Sequence, residues 1–214
     1  MPFGFLKRKP ADDASSKTTA AATPAAPDPM HRGAPRGVAF TAITEDWRLQ
    51  GRMQITGRLS DALNKREAIA ISEVLWGSPE AGSQLDPAPG LKSVDPYDLI
   101  LVTAGEDSLP PLTDTERAAL KVHKVPYVVA LEVPPFRVIG TVYMHPGSEP
   151  ERLLDRSTEM FVPVVDGTAR LGGQPVSEEG QDVILVNRFY LRGVGQVDSQ
   201  ARETPPAAPP ATSE

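Results

Sequence analysis

Along residues 47–55 apolar and polar side chains alternate: Trp47, Leu49, Met53 and Ile55 share one parity, and Arg48, Gln50, Arg52 and Gln54 the other. A period of two is that of a strand with one face in a core and one in water. A half-buried strand is therefore predicted here, with Trp47 on its core side. The preceding segment VAFTAIT (38–44) is a second strand, and Glu45-Asp46 between them is the turn of a hairpin. Thr56-Gly57 ends the pattern. In RLSDALN (58–64), Leu59, Ala62 and Leu63 group on one side and Ser60 is an N-cap residue type, which predicts one helical turn capping the sheet. AIAISEVLW (68–76) returns to strand, a Pro/Gly-rich loop covers 78–90, and DLILVT (98–103) is a buried strand.

The same order then returns. Residues 127–133 form a strand, and in FRVIGTVYM (136–144) Phe136, Val138, Val142 and Met144 take the inward parity, Arg137, Ile139, Thr141 and Tyr143 the outward one. DVILVN (182–187) matches DLILVT. The spacing between copies is 89 at Arg48/Arg137, 91 at Asn64/Asp155 and 84 at Asp98/Asp182, a drift that belongs in loops. Gly51 and Gly140 occupy the same inward position, where a missing Cβ predicts a bulge, a bend or a close backbone approach, the points at which a sheet curls. Ile139 and Tyr143 are apolar where the first copy is polar, so they are expected to be covered by the other half or by a partner. RFYLRGV (188–194) extends the last strand, either as an additional strand or as a crossing to the other half. Between the copies, TDTE (113–116) spells a capping box and 116–122 are helix formers, so a short connecting helix is predicted.

The organisation that follows is a tail at 1–37, a first β unit at 38–107, a linker helix at 108–125, a second β unit at 126–198 and a tail at 199–214. Both tails are rich in Ala, Pro, Ser and Thr and poor in large apolar residues, a composition that does not offset chain entropy, and both are expected to be disordered. Each unit has roughly 70 to 80 residues, marginal alone, so the two are expected to pack on each other. The chain carries 22 Lys+Arg against 28 Asp+Glu; six and three of these fall in the first tail, one and two in the last, leaving 15 against 23 between them. That central balance of −8 repels phosphate backbones and argues against nucleic acid as a partner. With 0 Cys, disulfides and thiolate metal sites are excluded. No apolar run long enough to span a bilayer and no cleavable signal is visible, so the expected compartment is the cytoplasm.

GRLSDALN (57–64) in the first copy, and FVPV (161–164) with VNR (186–188) in the second, resemble an uncharacterised bacterial family of small β domains. Its pattern is G-x-V, then G-x-R-L-S-D-x-L-N, then a strand with proline, then V-x-V-N-R. The second copy departs from it at GSEPERLLD (147–155). The resemblance covers roughly residues 38–197 and implies a fold, not an activity.

Chemistry is sparse. His31, His123 and His145 have no H-x-x-x-H spacing or carboxylate cluster, so no metal site is expected. Asp61 and Glu67, an imaginable acid/base pair, lie beside Lys65 and Arg66 and read as solvated charge. GTARLGG (167–173) lacks the spacing and lysine of a phosphate loop and reads as a hairpin turn. No serine sits in a G-x-S-x-G elbow. Arg48 and Arg137, each after an aromatic residue and facing outward, either pair with Glu45 and Glu132 or form a pseudo-symmetric pair of ligand contacts. Residues 61–64 are expected to pin their helical turn through side-chain to backbone bonds. At the start, Phe3, Phe5 and Leu6 abut Lys7, Arg8 and Lys9 ahead of a flexible spacer, the layout of a tether for weak peripheral membrane contact or a protein groove.

The expected fold is thus mainly β: two tandem small antiparallel β units, barrel-like or half-open, each with a short helical turn, joined by a short helix and flanked by disordered tails. The expected function is a non-enzymatic interaction or scaffolding module for a protein partner, without cofactor or metal. The candidate surface is Arg48, Arg137, Ile139 and Tyr143, and the candidate tether Phe3, Phe5, Leu6, Lys7, Arg8 and Lys9. An Sm-like or oligonucleotide-barrel nucleic-acid binder is the alternative, and an enzyme or ligand binder with a pocket between the halves the third reading.

Overall fold

The computed structural model describes residues 35–80, 82–105, 108, 123–176 and 181–197. The tether residues Phe3 to Lys9, the linker helix predicted over 116–122 and the tail from 199 on lie outside them. The described residues are mainly β, in one antiparallel sheet that does not close. The first segment supplies β1 (Arg36–Ile43), β2 (Arg48–Ile55), helix α1 (Leu59–Asn64), β3 (Ile69–Gly77), β4 (Asp86–Pro87), β5 (Ser93–Val94) and β6 (Leu101–Ala104). The second supplies β7 (Val125–Val133), β8 (Phe136–Met144), a 3-10 turn (Pro150–Leu154), β9 (Phe161–Leu171), β10 (Gln174–Pro175), β11 (Gln181–Asn187) and β12 (Gly193–Gln196). The strand order is β12-β7-β8-β9-β11-β6-β1-β2-β3-β4, with β10 on β9 and β5 on β3.

The two segments are therefore one sheet, joined where β6 pairs with β11 from Leu101↔Val186 to Ala104↔Val183. β6 is flanked by β1 on its other side, so both of its edges are used. Both of its faces are covered as well. Ile43, Leu101, Val186 and Val162 form a row across β1, β6, β11 and β9 and belong to one apolar core with Val129, Leu131, Phe136 and Val138. Their neighbours Ala42, Val102, Leu185 and Phe161 belong to the other core, with Phe40, Met53, Leu59 and Leu63. Successive side chains on a strand point to opposite faces. The two cores hence lie on opposite sides of the central strands, which is why DLILVT and DVILVN read as unbroken apolar runs.

Two asparagines fasten this junction. Asn187 is 0% exposed; its Nδ2 donates to the carbonyls of Leu99 at 2.7 Å and Pro96 at 3.4 Å, and its Oδ1 accepts from Phe189 N–H at 2.9 Å. Asn64, at the end of α1, accepts from Phe161 N–H at 2.7 Å and donates to the Phe161 carbonyl at 3.5 Å. Asn64 thus pins the start of a strand 97 residues away rather than only its own turn. Ser60 does not cap α1: Arg58 takes the N-cap position and no side chain caps it. The segment after β11 is a turn over 188–190, and β12 then adds to β7 within the second half. GTARLGG is mostly strand, with only Gly172 and Gly173 in the hairpin turn.

The glycine expectation is met by geometry. Ladder registers slip between Gln50 and Arg52 and between Ile139 and Thr141, so Gly51 faces two residues of β3 and Gly140 two of β9. A Cβ on Gly51 would sit 2.8 Å from the Ser72 carbonyl oxygen, and one on Gly140 2.9 Å from the Gly167 Cα. The first residue of each bulge, Glu73 at φ 54° and Asp166 at φ 49°, adopts the left-handed backbone that costs most side chains roughly 1–2 kcal/mol.

Two outcomes follow. Asn187→Ala should destabilise the protein by about 2–4 kcal/mol, because the Leu99 carbonyl and Phe189 N–H lose their partners in a buried site. Asn187→Asp should not restore stability, as a carboxylate offers Leu99 no donor; denaturant titration of both variants checks this. Gly51→Ala should cost about 1–3 kcal/mol by backbone overlap, whereas Glu73→Gly, which removes the left-handed penalty, should lower the thermal midpoint by nothing measurable. A Gly51→Ala protein as stable as the parent would refute the close approach at the bulge.

Candidate functional site

The parity of β2 puts Trp47 on the core side, but parity sets the face, not the depth. Trp47 lies just ahead of the strand and remains 44% exposed, a correction to its expected burial. Thr44 fixes it there: the Thr44 hydroxyl accepts from Trp47 N–H at 3.0 Å, and Thr44 N–H donates to the Trp47 carbonyl at 2.8 Å. Trp76 stands opposite Leu49 on the same face and is 39% exposed. Its ring stacks on Trp47 with centroids 4.7 Å apart and planes 16° from parallel. The chain has 2 tryptophans, and both stand in this open pair. Carboxylates surround it in sequence and register: Glu45 and Asp46 precede Trp47, and Asp86 is the cross-strand partner of Trp76.

The outward arginines part company. Arg137 makes the cross-strand ion pair expected of it, Nε to Glu132 Oε1 at 3.1 Å, with both side chains more than half exposed; such a pair contributes about 0–1 kcal/mol. Arg48 instead donates from Nη2 to the Ser83 carbonyl at 2.9 Å, holding the loop after β3, while its Nε is buried with no hydrogen-bond partner among the described residues. Four strands separate β2 from β8, so the two arginines do not meet at one site. Ile139 is half-buried and lines a shallow groove with Arg137, Arg170 and the Gly172–Gly173 turn. Tyr143 is 51% exposed and is not covered by the other half.

Tyr143 does line a second groove, about 510 Å³, framed by the end of β8, the 3-10 turn, loop 155–159 and the residue after β11. Sequence spacing gave no hint of it, since its walls come from positions 124 to 188. Arg188 crosses this groove. Its Nη1 donates to the Asp155 carbonyl at 2.9 Å and to the Thr158 hydroxyl, and its Nε is buried with no hydrogen-bond partner among the described residues. Burial pushes the Arg188 guanidinium below its ordinary pKa, opposed by Glu159 and Asp155. Hydrogen bonds from the Ser157 hydroxyl and backbone N–H hold the Asp155 carboxyl below the usual range, with Arg188 and Arg152 adding to the effect. A depressed carboxyl contributes stability above its unfolded pKa, lost only as pH falls through the lowered folded value. Nearby, Phe189 contacts Tyr97 and two guanidinium groups, Arg66 and Arg156, at 5.8 and 5.9 Å from its centroid.

Among the described residues no group of three His, Cys, Asp or Glu side chains could hold a metal ion, and no helix is long and apolar enough to cross a membrane. Because the tryptophan stack is open to water, Trp47→Ala should cost only about 0.5–1.5 kcal/mol, far below the 3–5 kcal/mol typical of a buried tryptophan; a thermal melt followed by circular dichroism checks it. No protein-family model, no curated protein and no solved structure matches the chain.

Proposed function

We propose that the protein is a non-enzymatic interaction module whose docking point is the Trp47–Trp76 pair. The observation that supports this reading is the pair itself: two indoles stacked on each other and left 44% and 39% exposed beside Leu49 of the first core. Tryptophan is the residue type most enriched where association energy concentrates, and its N–H and broad face suit a partner that brings both apolar and polar groups. The flanking Glu45, Asp46 and Asp86 favour a polypeptide that sets Lys or Arg beside an apolar side chain. The segment Phe3, Phe5, Leu6, Lys7, Arg8 and Lys9 acts in this reading as a second, weaker attachment, to an anionic surface or a groove.

A single-strand nucleic-acid surface is the second reading, favoured by Phe189 with its two arginines and by the exposed Tyr97. Against it stands the central charge of −8, which predicts no sub-micromolar binding of an oligonucleotide by residues 38–198 at physiological salt.

The test places a photo-crosslinking amino acid at Ser78, exposed two residues after Trp76, or, as a control on the exposed polar face of β2, at Gln54 in producing cells. A discrete adduct from position 78 that vanishes with Trp47→Ser is expected; no adduct from position 78, or identical adducts at both positions, would sink the proposal. Deleting residues 2–9 should leave the thermal midpoint unchanged and reduce co-sedimentation with anionic vesicles; unchanged sedimentation removes the tether from this reading.

A further inference from the structure

The stacked tryptophans suit an occupant that sets cations beside apolar groups, and the chain itself contains one. Residues 3–9 read FGFLKRK: Phe3, Phe5 and Leu6, then the chain's one run of three consecutive Lys or Arg, Lys7, Arg8 and Lys9. In an extended segment Phe3 and Phe5 fall on the same side, spaced to lie together against an apolar face. The face that meets them is Trp47 and Trp76, 44% and 39% exposed with ring centroids 4.7 Å apart. Glu45, Asp46 and Asp86 are exposed beside it, and Asp86 shares the face of Trp76 as its cross-strand partner. Three carboxylates thus stand where three cations follow the aromatic residues, and an open indole face attracts cations in its own right.

The chain length fits this contact. β1 runs from Arg36 to Ile43, next to the turn that carries Trp47. At about 3.3 Å per residue, the pair lies roughly 25 Å from the start of β1. Between Lys9 and β1 stand the 26 residues 10–35, and a random coil of that length has a root-mean-square span of roughly 25–30 Å. A tether whose span matches the separation gives its end the highest effective concentration, on the order of a millimolar. The same segment on a second copy, present at micromolar concentration, competes about a thousandfold less well. The occupant within the chain is therefore favoured over one from a neighbour.

We infer that residues 3–9 dock on the Trp47–Trp76 pair of their own chain, with Phe3 and Phe5 against the indoles and Lys7, Arg8 and Lys9 against Glu45, Asp46 and Asp86. The inference rests on the interaction reading and adds its regulation: the segment and an outside partner compete for one site, and the pair stays closed until the partner displaces the segment.

Both tryptophans of the chain lie in the pair, so intrinsic fluorescence reports on this site alone. Acrylamide should quench the full-length protein at least twofold less efficiently than the protein lacking residues 2–9, and a peptide of residues 1–10 added to the shortened protein should restore the protection. Lys7→Glu, Arg8→Glu and Lys9→Glu together should expose the tryptophans as the deletion does; adding Glu45→Lys, Asp46→Lys and Asp86→Lys to that chain should protect them again. Equal quenching of the full-length and shortened proteins overturns the inference, and protection that falls on dilution of the chain overturns it in favour of a second copy's segment. The crosslink from position 78 separates this inference from the reading beneath it. Its adduct to another protein should be stronger without residues 2–9. An equal adduct with equal quenching overturns the self-docking and leaves the interaction reading standing, whereas unequal quenching with no adduct from either chain supports the docking and removes the outside partner.

Discussion

Everything in this fold depends on the pairing of β6 with β11. Four residue pairs join the two halves along one line of the sheet, and a ladder that short is weak by itself. It is strengthened because the strands at the seam are buried on both faces, by two cores built on opposite sides. Each buried Leu, Ile or Val there contributes roughly 1.5–3 kcal/mol, and the seam residues of either half sit in both cores. Separating the halves would expose apolar surface on two faces at once, together with the backbone groups of the ladder. Asn64 and Asn187 add specificity: each couples backbone of one half to the other at a position where a register slip would orphan it.

The curl of each half follows from a second constraint. A flat antiparallel sheet cannot cover a core on one side without bending, and both halves bend at a bulge opposite a glycine, Gly51 in one and Gly140 in the other. In each, the strand after the helical turn is the one that bends and changes partner along its length. β3 passes from β5 to β2, and β9 from β11 to β8. The halves then diverge at their closing strands. β6 lies beside β1, the hairpin's first strand, whereas β11 lies beside β9, and β12 occupies the edge of β7. That exchange frees β11 to meet β6, so the departure from strict repetition is what makes one sheet of two.

Alternation and apolar runs made the strands legible, because period and burial are properties of neighbouring residues. The hairpins over 38–55 and 127–144 and the apolar runs at 98–103 and 182–187, buried over 99–102 and 184–187, are all visible this way. What local pattern cannot express is where a strand ends relative to its core, and Trp47 shows it: the parity was right, yet the residue lies beyond the rim. Asn64 looks like a local pin in sequence because its partner, Phe161, is 97 positions distant. The groove around Arg188 is a harder case, since none of its wall residues is unusual in sequence and only the fold assembles them. Arg48 and Arg137, equivalent by spacing, ended in different company because one meets a loop at Ser83 and the other a carboxylate at Glu132.

Electrostatics separates the two surfaces further. At physiological salt, charges on open surface are screened over about 8 Å, so the acidic mean of the body reaches little beyond its own skin. The tryptophan pair has Glu45 and Asp46 beside it in sequence and Asp86 across from Trp76, so on the proposed reading it favours a partner that brings cations. The Arg188 groove contains its own charges, three Lys/Arg against two carboxylates, within a concave wall where screening is less complete. The two surfaces therefore differ in field as well as in shape, carboxylates beside the open indoles in one and mixed charges with an excess of Lys and Arg in the other.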